Sequence, residues 1–459
     1  MTNPRWRHQE EAFQLLRPLS GSALFMEMGT GKSRVALDLL REWNITLGLV
    51  TCPKAVVDVW PHECEKHHPS YWTVIPIDGR TPIKKLDQCK HGVFLARNGG
   101  HKVLLVINYE SAWRDPVGKF LQTCGLQALV LDEMHRIKAP GGKASRYFMT
   151  VAKTIRRRLG LTGTPLPHSP LDIYAQYRTI APNIFGYSFV GFRSRYAVMR
   201  PLGAGNTVVV QSFVNLEELH EKMYKIAFRV QSKDVLDLPP FMDEVRKFDL
   251  SPKARRIYDD LEEELVAEIG PGEIISTPNI LTKLLRLQQI ACGWITADYS
   301  EKAMNIDTGK ADLIADIIED IGKDEPFIVF CRFTKDIQSV RKVCDDQKIT
   351  VAEISGQHKE IAAFHSGAAR AIVCQITSGG LGIDLTRARY CFYYSTGHSL
   401  GDYMQSRARP HRPGQTRPVT YYHLIARNTV DEDIYAGLQR KGDLVTTVLD
   451  TMRQRRCQS

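Results

Sequence analysis

Long apolar runs are missing from this sequence. Nowhere do about 18 consecutive apolar residues occur, the length a membrane-crossing helix needs. The opening stretch "MTNPRWRHQEEAF" is polar where a secretory leader needs an apolar core. A soluble, intracellular protein with no membrane partner is therefore expected. Pro/Gly/Ser tracts, low-complexity segments and internal repeats are absent too, which leaves an ordinary globular composition. The ten cysteines are scattered from Cys52 to Cys457 with no CxxC pair, so reduced thiols are expected instead of a disulfide framework. The cluster "HECEKHH" (His62, Cys64, His67, His68) fits no common zinc spacing and reads as the polar face of a helix.

What is present bounds the architecture. A chain of 459 residues suggests about two to three domains, at roughly 100–200 residues each. Its formal net charge of +10 favours a polyanionic partner, of which nucleic acid is the commonest. Short β-rich runs alternate with helical-length segments in a first series, "SALFM", "TLGLVTC", "KVLLVINYE", "LQALVLDE" and "RRLGLTGTP". A second series is "FIVFCRF", "ITVAEIS", "ARAIVCQI", "RYCFYYS" and "VTYYHLIA". That rhythm predicts an α/β chain with two parallel-sheet lobes. Between them "SPKARRIYDDLEEELVAEI" and "NILTKLLRLQQIA" have helical spacing. The expected organisation is a first lobe over 1–182, a helical insert over 183–305 and a second lobe over 306–459. In "TGKADLIADIIEDIGK", Leu313, Ile314, Ile317, Ile318 and Ile321 share one helical face and are expected in the core.

The chemistry starts at "MEMGTGKS". A tight glycine turn between a buried strand and a helix lets several backbone N–H groups point at one anion, with the helix dipole adding to the attraction. Gly29, Thr30 and Gly31 supply the turn, Lys32 would reach the β/γ-phosphates, and the Ser33 hydroxyl would ligate magnesium. The general pattern wants a glycine at the position of Met26, so taken alone the stretch also reads as a structural turn. About a hundred residues on, "ALVLDEMH" runs four apolar residues into Asp132 and Glu133. A carboxylate at a strand tip can hold the metal while the next one orients or deprotonates the attacking water. The conjunction points to hydrolysis of ATP or GTP. In "YMQSRARPHRPGQ", Arg409 and Arg412 stand one helical turn apart and could aim at one point; the alternative is a solvated basic face. An arginine brought to a γ-phosphate from another lobe is worth on the order of 10³–10⁵ in rate in other nucleotide hydrolases.

Together these stretches resemble the Swi/Snf family of superfamily-two helicase-like DNA translocases, along nearly the whole chain. "RHQEEAF" is similar to its adenine-reading motif, "MEMGTGKS" to motif I, which itself lacks the first glycine, and "VTCPKAVVDVWPHE" to motif Ia. "VINYES", "DEMH" and "LTGTPLPHSPLDIY" resemble motifs Ib, II and III, and "FRVQSKDVLDLPP" resembles a segment of the insert. "FIVFCRF", "TSGGLGIDL" and "QSRARPHRPGQ" resemble motifs IV, V and VI, the last aligning Gln405, Arg409, His411, Arg412, Gly414 and Gln415. "STGHSLGDY" departs from the aromatic–Asn–Pro phrase usual before motif VI, and Asp384 stands where many members have Asn. These departures resemble compact prokaryotic or viral members.

The resemblance implies two RecA-like lobes, ATP and Mg²⁺ as nucleotide and metal, and stepping along double-stranded DNA without strand separation. ATP would be held by Gln9, Gly29, Thr30, Gly31, Lys32, Ser33, Gly382 and Asp384, and the metal by Ser33 and Asp132. Lys32, Glu133, Arg409 and Arg412 would be catalytic, with Glu133 the general base. His135, Thr162, Gly163, Thr164 and Gln405 would couple the nucleotide to lobe movement. Lys54, Tyr109, Thr377 and Ser378 would face the DNA backbone; the alternative for Tyr109 is a packed strand end. Contacts to phosphates and not base edges are expected of a device that steps. A partner protein would supply targeting, and the setting would be DNA in a prokaryotic or virus-infected cell. The competing readings are an RNA- or DNA-unwinding helicase of superfamily two and a nucleotide-gated clamp that recruits a partner.

Overall fold

The computed structural model describes residues 4–167, 169–201, 208–268, 277–296, 303–376 and 383–440. The chain divides into two compact units, Met1–Asp237 and Leu238–Ser459. Among the described residues no helix is long and apolar enough to cross a membrane.

In unit 1 the strands are β1 (Gly21–Met26), β2 (Leu47–Cys52), β3 (Thr73–Pro76), β4 (Val103–Asn108), β5 (Ala128–Asp132), β6 (Arg157–Leu161), β7 (Ala197–Pro201), β8 (Val208–Phe213) and β9 (Ala227–Val230). Seven of them form a sheet in the order β3-β4-β2-β5-β6-β1-β9, paired in parallel throughout. Strands β1, β2 and β4 are buried at every position, as a parallel sheet covered on both faces requires. Alternate side chains feed two cores. Ala23, Phe25, Leu105 and Ile107 pack with Tyr177 on one face, and Leu24, Met26, Leu104 and Val106 pack with Trp60 on the other. Each such large apolar side chain contributes about 1.5–3 kcal/mol by leaving water. Because all seven strands point one way, their carboxyl ends open on a single edge, where α/β sheets hold their ligands. Strands β7 and β8 form a separate antiparallel pair.

Unit 2 holds β10 (Phe241–Phe248), β11 (Trp294–Thr296), β12 (Ala303–Asn305), β13 (Phe327–Cys331), β14 (Val351–Ile354), β15 (Ala371–Gln375), β16 (Tyr390–Tyr393) and β17 (Val419–Ala426). Its main sheet runs β10-β17-β16-β13-β15-β14, again parallel, with β11 and β12 as a small antiparallel pair. Ile328 and Phe330 serve one core, and Phe327, Val329 and Cys331 the other. The helix Gly309–Asp320 packs Ile314, Ile317 and Ile318 into the latter, with Leu313 at its margin.

The stretch 183–305, expected as a helical insert, is shared between the two units. Its helices Pro252–Glu268 and Thr277–Ala291 are there, but so are β9, an edge strand beside β1, and β10, an edge strand beside β17. Strand β9 is only four residues long, and β10, "FMDEVRKF", carries charges because an edge strand is half solvated.

Candidate functional site

The loop after β1 is shaped by its glycines. Gly29 and Gly31 hold φ at 81° and 87°, the left-handed region that glycine enters without strain, and Gly31 caps the helix Lys32–Glu42. A Cβ at Gly31 would stand 2.3 Å from Gln9 Nε2. Gln9, read as an adenine reader, is 5% exposed and braces the loop: Nε2 donates to the Thr30 carbonyl (3.1 Å), and Oε1 accepts from the Trp6 amide (3.1 Å). The neighbouring His8 places Nε2 2.9 Å from the same carbonyl, a brace that sequence reasoning missed. The Thr30 hydroxyl is turned inward to the Glu27 carbonyl (2.7 Å). The Lys32 ammonium lies inside the loop, donating to the Met26 (2.8 Å) and Glu27 (3.3 Å) carbonyls, and Ser33 is half-buried at the first helical turn.

Asp132 closes β5 and Glu133 follows it at φ 54°, a left-handed backbone that costs a non-glycine residue about 1–2 kcal/mol. Burial and then the Glu133 charge push the Asp132 carboxyl well up, while Lys32 and a hydrogen bond from Trp60 Nε1 (3.2 Å) pull it down. Two adjacent carboxylates, the charge of one raising the other, form a donor set that suits a divalent cation. Thr162 Oγ1 lies 3.0 Å from His135 Nδ1 and reaches Glu133 Oε2 at 3.5 Å, and it accepts from the Thr164 amide at 3.0 Å. His135 and Thr162 thus meet at Glu133, and Thr164 is joined to them through the Thr162 hydroxyl. Gly163 approaches the backbone of Glu27 and Met26 without crowding.

Tyr109 is placed differently from expectation. It is 3% exposed, packs edge-on against Phe148, and donates its hydroxyl to the Asp132 carbonyl at 2.9 Å. It supports the carboxylate-bearing strand end and does not face outward. Lys54 is exposed just beyond β2. Lys85 is pushed below the usual lysine range by burial and by the positive charges of Lys54 and Arg114. Arg114 and Lys143 flank the Trp113 ring at 5.5 and 5.6 Å. Only Lys54 of this cationic group was legible in the sequence, because the others are scattered along helices and loops.

"HECEKHH" belongs to the helix Val59–His67 and its C-terminal cap His68, and serves the helix behind the phosphate loop. His67 Nδ1 accepts from Arg34 (3.0 Å), and His68 Nε2 lies 2.7 Å from Asp38, which also takes Arg5 (2.6 Å) and Arg34 (3.0 Å).

In unit 2 the helix Leu400–Arg407 ends before both candidate arginines, since Pro410 and Pro413 lack the N–H that would continue it. The helical-turn argument for Arg409 and Arg412 therefore fails: they sit on an irregular turn, Arg409 4% exposed and Arg412 half-buried with Nη1 3.4 Å from the Ile383 carbonyl. Gln405 is half-buried on the helix. Gln415 staples the far end of the turn, with Nε2 within 3.1 Å of the Thr386, Ala388 and Pro410 carbonyls. Asp384 closes a tight turn by accepting from the Thr386 amide (2.9 Å) and hydroxyl (2.7 Å). Thr377, Ser378 and Gly382 lie outside the described residues.

Known proteins share this organisation. The model of the SNF2-related domain matches residues 8–294, and that of the helicase conserved C-terminal domain matches residues 309–414. The chain is 24% identical over 448 residues to the mouse "DNA annealing helicase and endonuclease ZRANB3", covering 94% of this chain and 39% of that protein. It thus spans about two fifths of the length of that relative. It is also 24% identical to "Putative protein p41" of Acyrthosiphon pisum secondary endosymbiont phage 1, with 96% of each chain covered. A solved structure, the Sulfolobus solfataricus SWI2/SNF2 ATPase core in complex with dsDNA, aligns at 23% identity and a TM-score of 0.45, covering 99% of this chain and 97% of that one. With a family model matched over more than half its length, the chain belongs to the SNF2-related family, its second unit carrying a helicase C-terminal domain.

Proposed function

We propose that this protein is an ATP-driven motor that moves along double-stranded DNA without separating its strands. The observation that carries the reading is the electrostatic pull of Lys32 on Asp132, which Glu133 follows, at the carboxyl edge of one parallel sheet. Family membership supports it, as do the helicase names of the relatives.

Magnesium fits the residues present: Asp132 and the Ser33 hydroxyl would hold it, and it would supply charge neutralisation for the phosphates. The chain's own groups do the rest. Lys32 exchanges its carbonyl partners for phosphate oxygens, and the loop amides between Gly29 and Ser33 orient the anion. Glu133, oriented by Thr162 and His135, takes a proton from the attacking water. Arg409 and Arg412 are assigned to the negative charge that grows in the transition state.

For the track, the cationic group Lys54, Lys85 and Arg114 supports backbone recognition. Like charges held close enough to depress a lysine are stabilised by a polyanion. A targeting partner and a setting inside a prokaryotic or virus-infected cell complete the reading. The test is displacement of a third strand from a DNA triplex set against displacement of one strand of a duplex. ATP-dependent triplex displacement without unwinding supports the motor; unwinding alone supports a helicase, and neither supports a clamp.

A further inference from the structure

The arginine turn of unit 2 is anchored at both ends. Gln415 holds the far end through its three carbonyl partners. The near end is held by a polar cluster at a half-exposed edge of the sheet, flanked by aromatic rings, and neither composition nor motif pointed to it. Arg407, the last residue of the helix, pairs through both terminal nitrogens with the Asp243 carboxylate on β10, the Nη2 bond being 2.9 Å. Its guanidinium lies 4.2 Å from the centre of the Tyr421 ring and 4.8 Å from that of Phe241. Asp243 also takes His423 Nε2 at 2.9 Å, and the His423 ring stacks on Tyr393 at 5.0 Å. Tyr393 in turn bonds the Ser406 hydroxyl (2.7 Å), and Tyr421 donates to the Arg407 carbonyl (2.7 Å). Further along the turn, His411 Nε2 lies 2.7 Å from the Pro239 carbonyl. The turn is therefore fixed, by side chain and backbone, to the first residues of unit 2 and the strand they open.

We propose that Asp243 is a positioning residue: through Arg407, and with His423, it sets the place of the turn that carries Arg409 and Arg412. The inference rests on the reading of those two arginines as transition-state groups. A bidentate arginine–carboxylate pair fixes both distance and plane, which a single contact does not. It acts on a turn held by short-range backbone bonds such as His411 N–H to the Arg407 carbonyl and not by a sheet ladder, so loss of the pair frees the turn more than it harms the core, which is built by the parallel sheet.

The test uses the full chain and two readouts. In Asp243→Asn, amide hydrogen exchange over residues 405–415 is expected to speed up roughly tenfold, while exchange in β13 and β15 stays as in wild type. DNA-stimulated ATP turnover is expected to fall roughly tenfold in kcat with KM for ATP within about twofold. Asp243→Glu, which keeps the carboxylate, recovers most of both; Arg407→Lys, which keeps charge but not the fork, falls between and serves if Asp243→Asn does not fold. Unchanged exchange over 405–415, a Glu variant no better than Asn, or a loss confined to KM overturns the proposal. The exchange arm decides it even if the wild-type chain hydrolyses no ATP, a result that would sink the proposed function by itself.

Discussion

Gly31 holds φ at 87°, and a Cβ there would meet Gln9 Nε2 at 2.3 Å. Gly31→Ala therefore carries both left-handed strain, about 1–2 kcal/mol, and a collision with the brace beneath the loop. It is expected to lower the melting temperature and to raise KM for ATP, both measurable on the purified chain. Wild-type values of both would show that Gln9 does not brace the loop. Tyr109 gives the opposite kind of expectation. Its hydroxyl is committed to the Asp132 carbonyl, so Tyr109→Phe should cost about 1 kcal/mol of stability and leave the salt dependence of DNA binding unaltered. A flattened salt slope in that variant would return Tyr109 to the track. The residue types at Lys32, Asp132 and Glu133 were legible in the sequence because phosphate and metal chemistry restricts the choice. The Asp243–Arg407 pair was not, because its partners lie far apart in the chain and either residue alone looks like an ordinary surface charge.

Among the elements, the ten runs read as strands are all strands, since a fully buried parallel strand is written as an apolar run. The strands of the two small antiparallel pairs escaped notice, and so did β3, β9 and β10 of the main sheets: β3 and β9 are four residues long, and β10 carries charges at four of its eight positions. The consequence is functional. Strand β9 lies beside β1, and just past it Ser232 gives Glu27, two residues before Gly29, a backbone (2.9 Å) and a hydroxyl (2.7 Å) hydrogen bond. The "VQSKDV" stretch, which resembles the family's insert, thus belongs to the support of the glycine loop after β1 in unit 1. Ser232→Ala should weaken ATP binding severalfold, roughly the effect of one hydrogen bond to a charged group, without loss of DNA binding. Nucleotide titration checks this, and an unchanged affinity would make the contact one of folding alone.

At the scale of the whole molecule, two buried histidines set an acid limit. Burial, aided by Arg332, pushes His398 down to about 4, and burial also depresses His423 despite the Asp243 carboxylate, with Arg407 adding to the depression. Between the ordinary histidine value, about 6.5, and these lowered values, the unfolded chain binds protons that the folded chain does not. The stability these two histidines contribute is therefore complete above pH ~6.5 and is lost as the pH drops towards 4, opposed over part of that window by the raised Asp132 carboxyl. Melting curves of wild type and His398→Asn across that window check the sign: the variant should lose less stability than wild type as the pH falls from ~6.5 to about 4. The charge of +10 acts at the same scale, drawing a polyanion to the protein without reading its sequence.

The central claim, an ATP-driven motor on duplex DNA, is tested most directly by steady-state ATP turnover of the purified chain with duplex DNA, single-stranded DNA and RNA added separately, beside Lys32→Ala. Strong stimulation by duplex, abolished in Lys32→Ala while duplex binding persists, is the predicted result. Turnover that ignores duplex, responds to RNA alone or survives the loss of Lys32 would contradict the account.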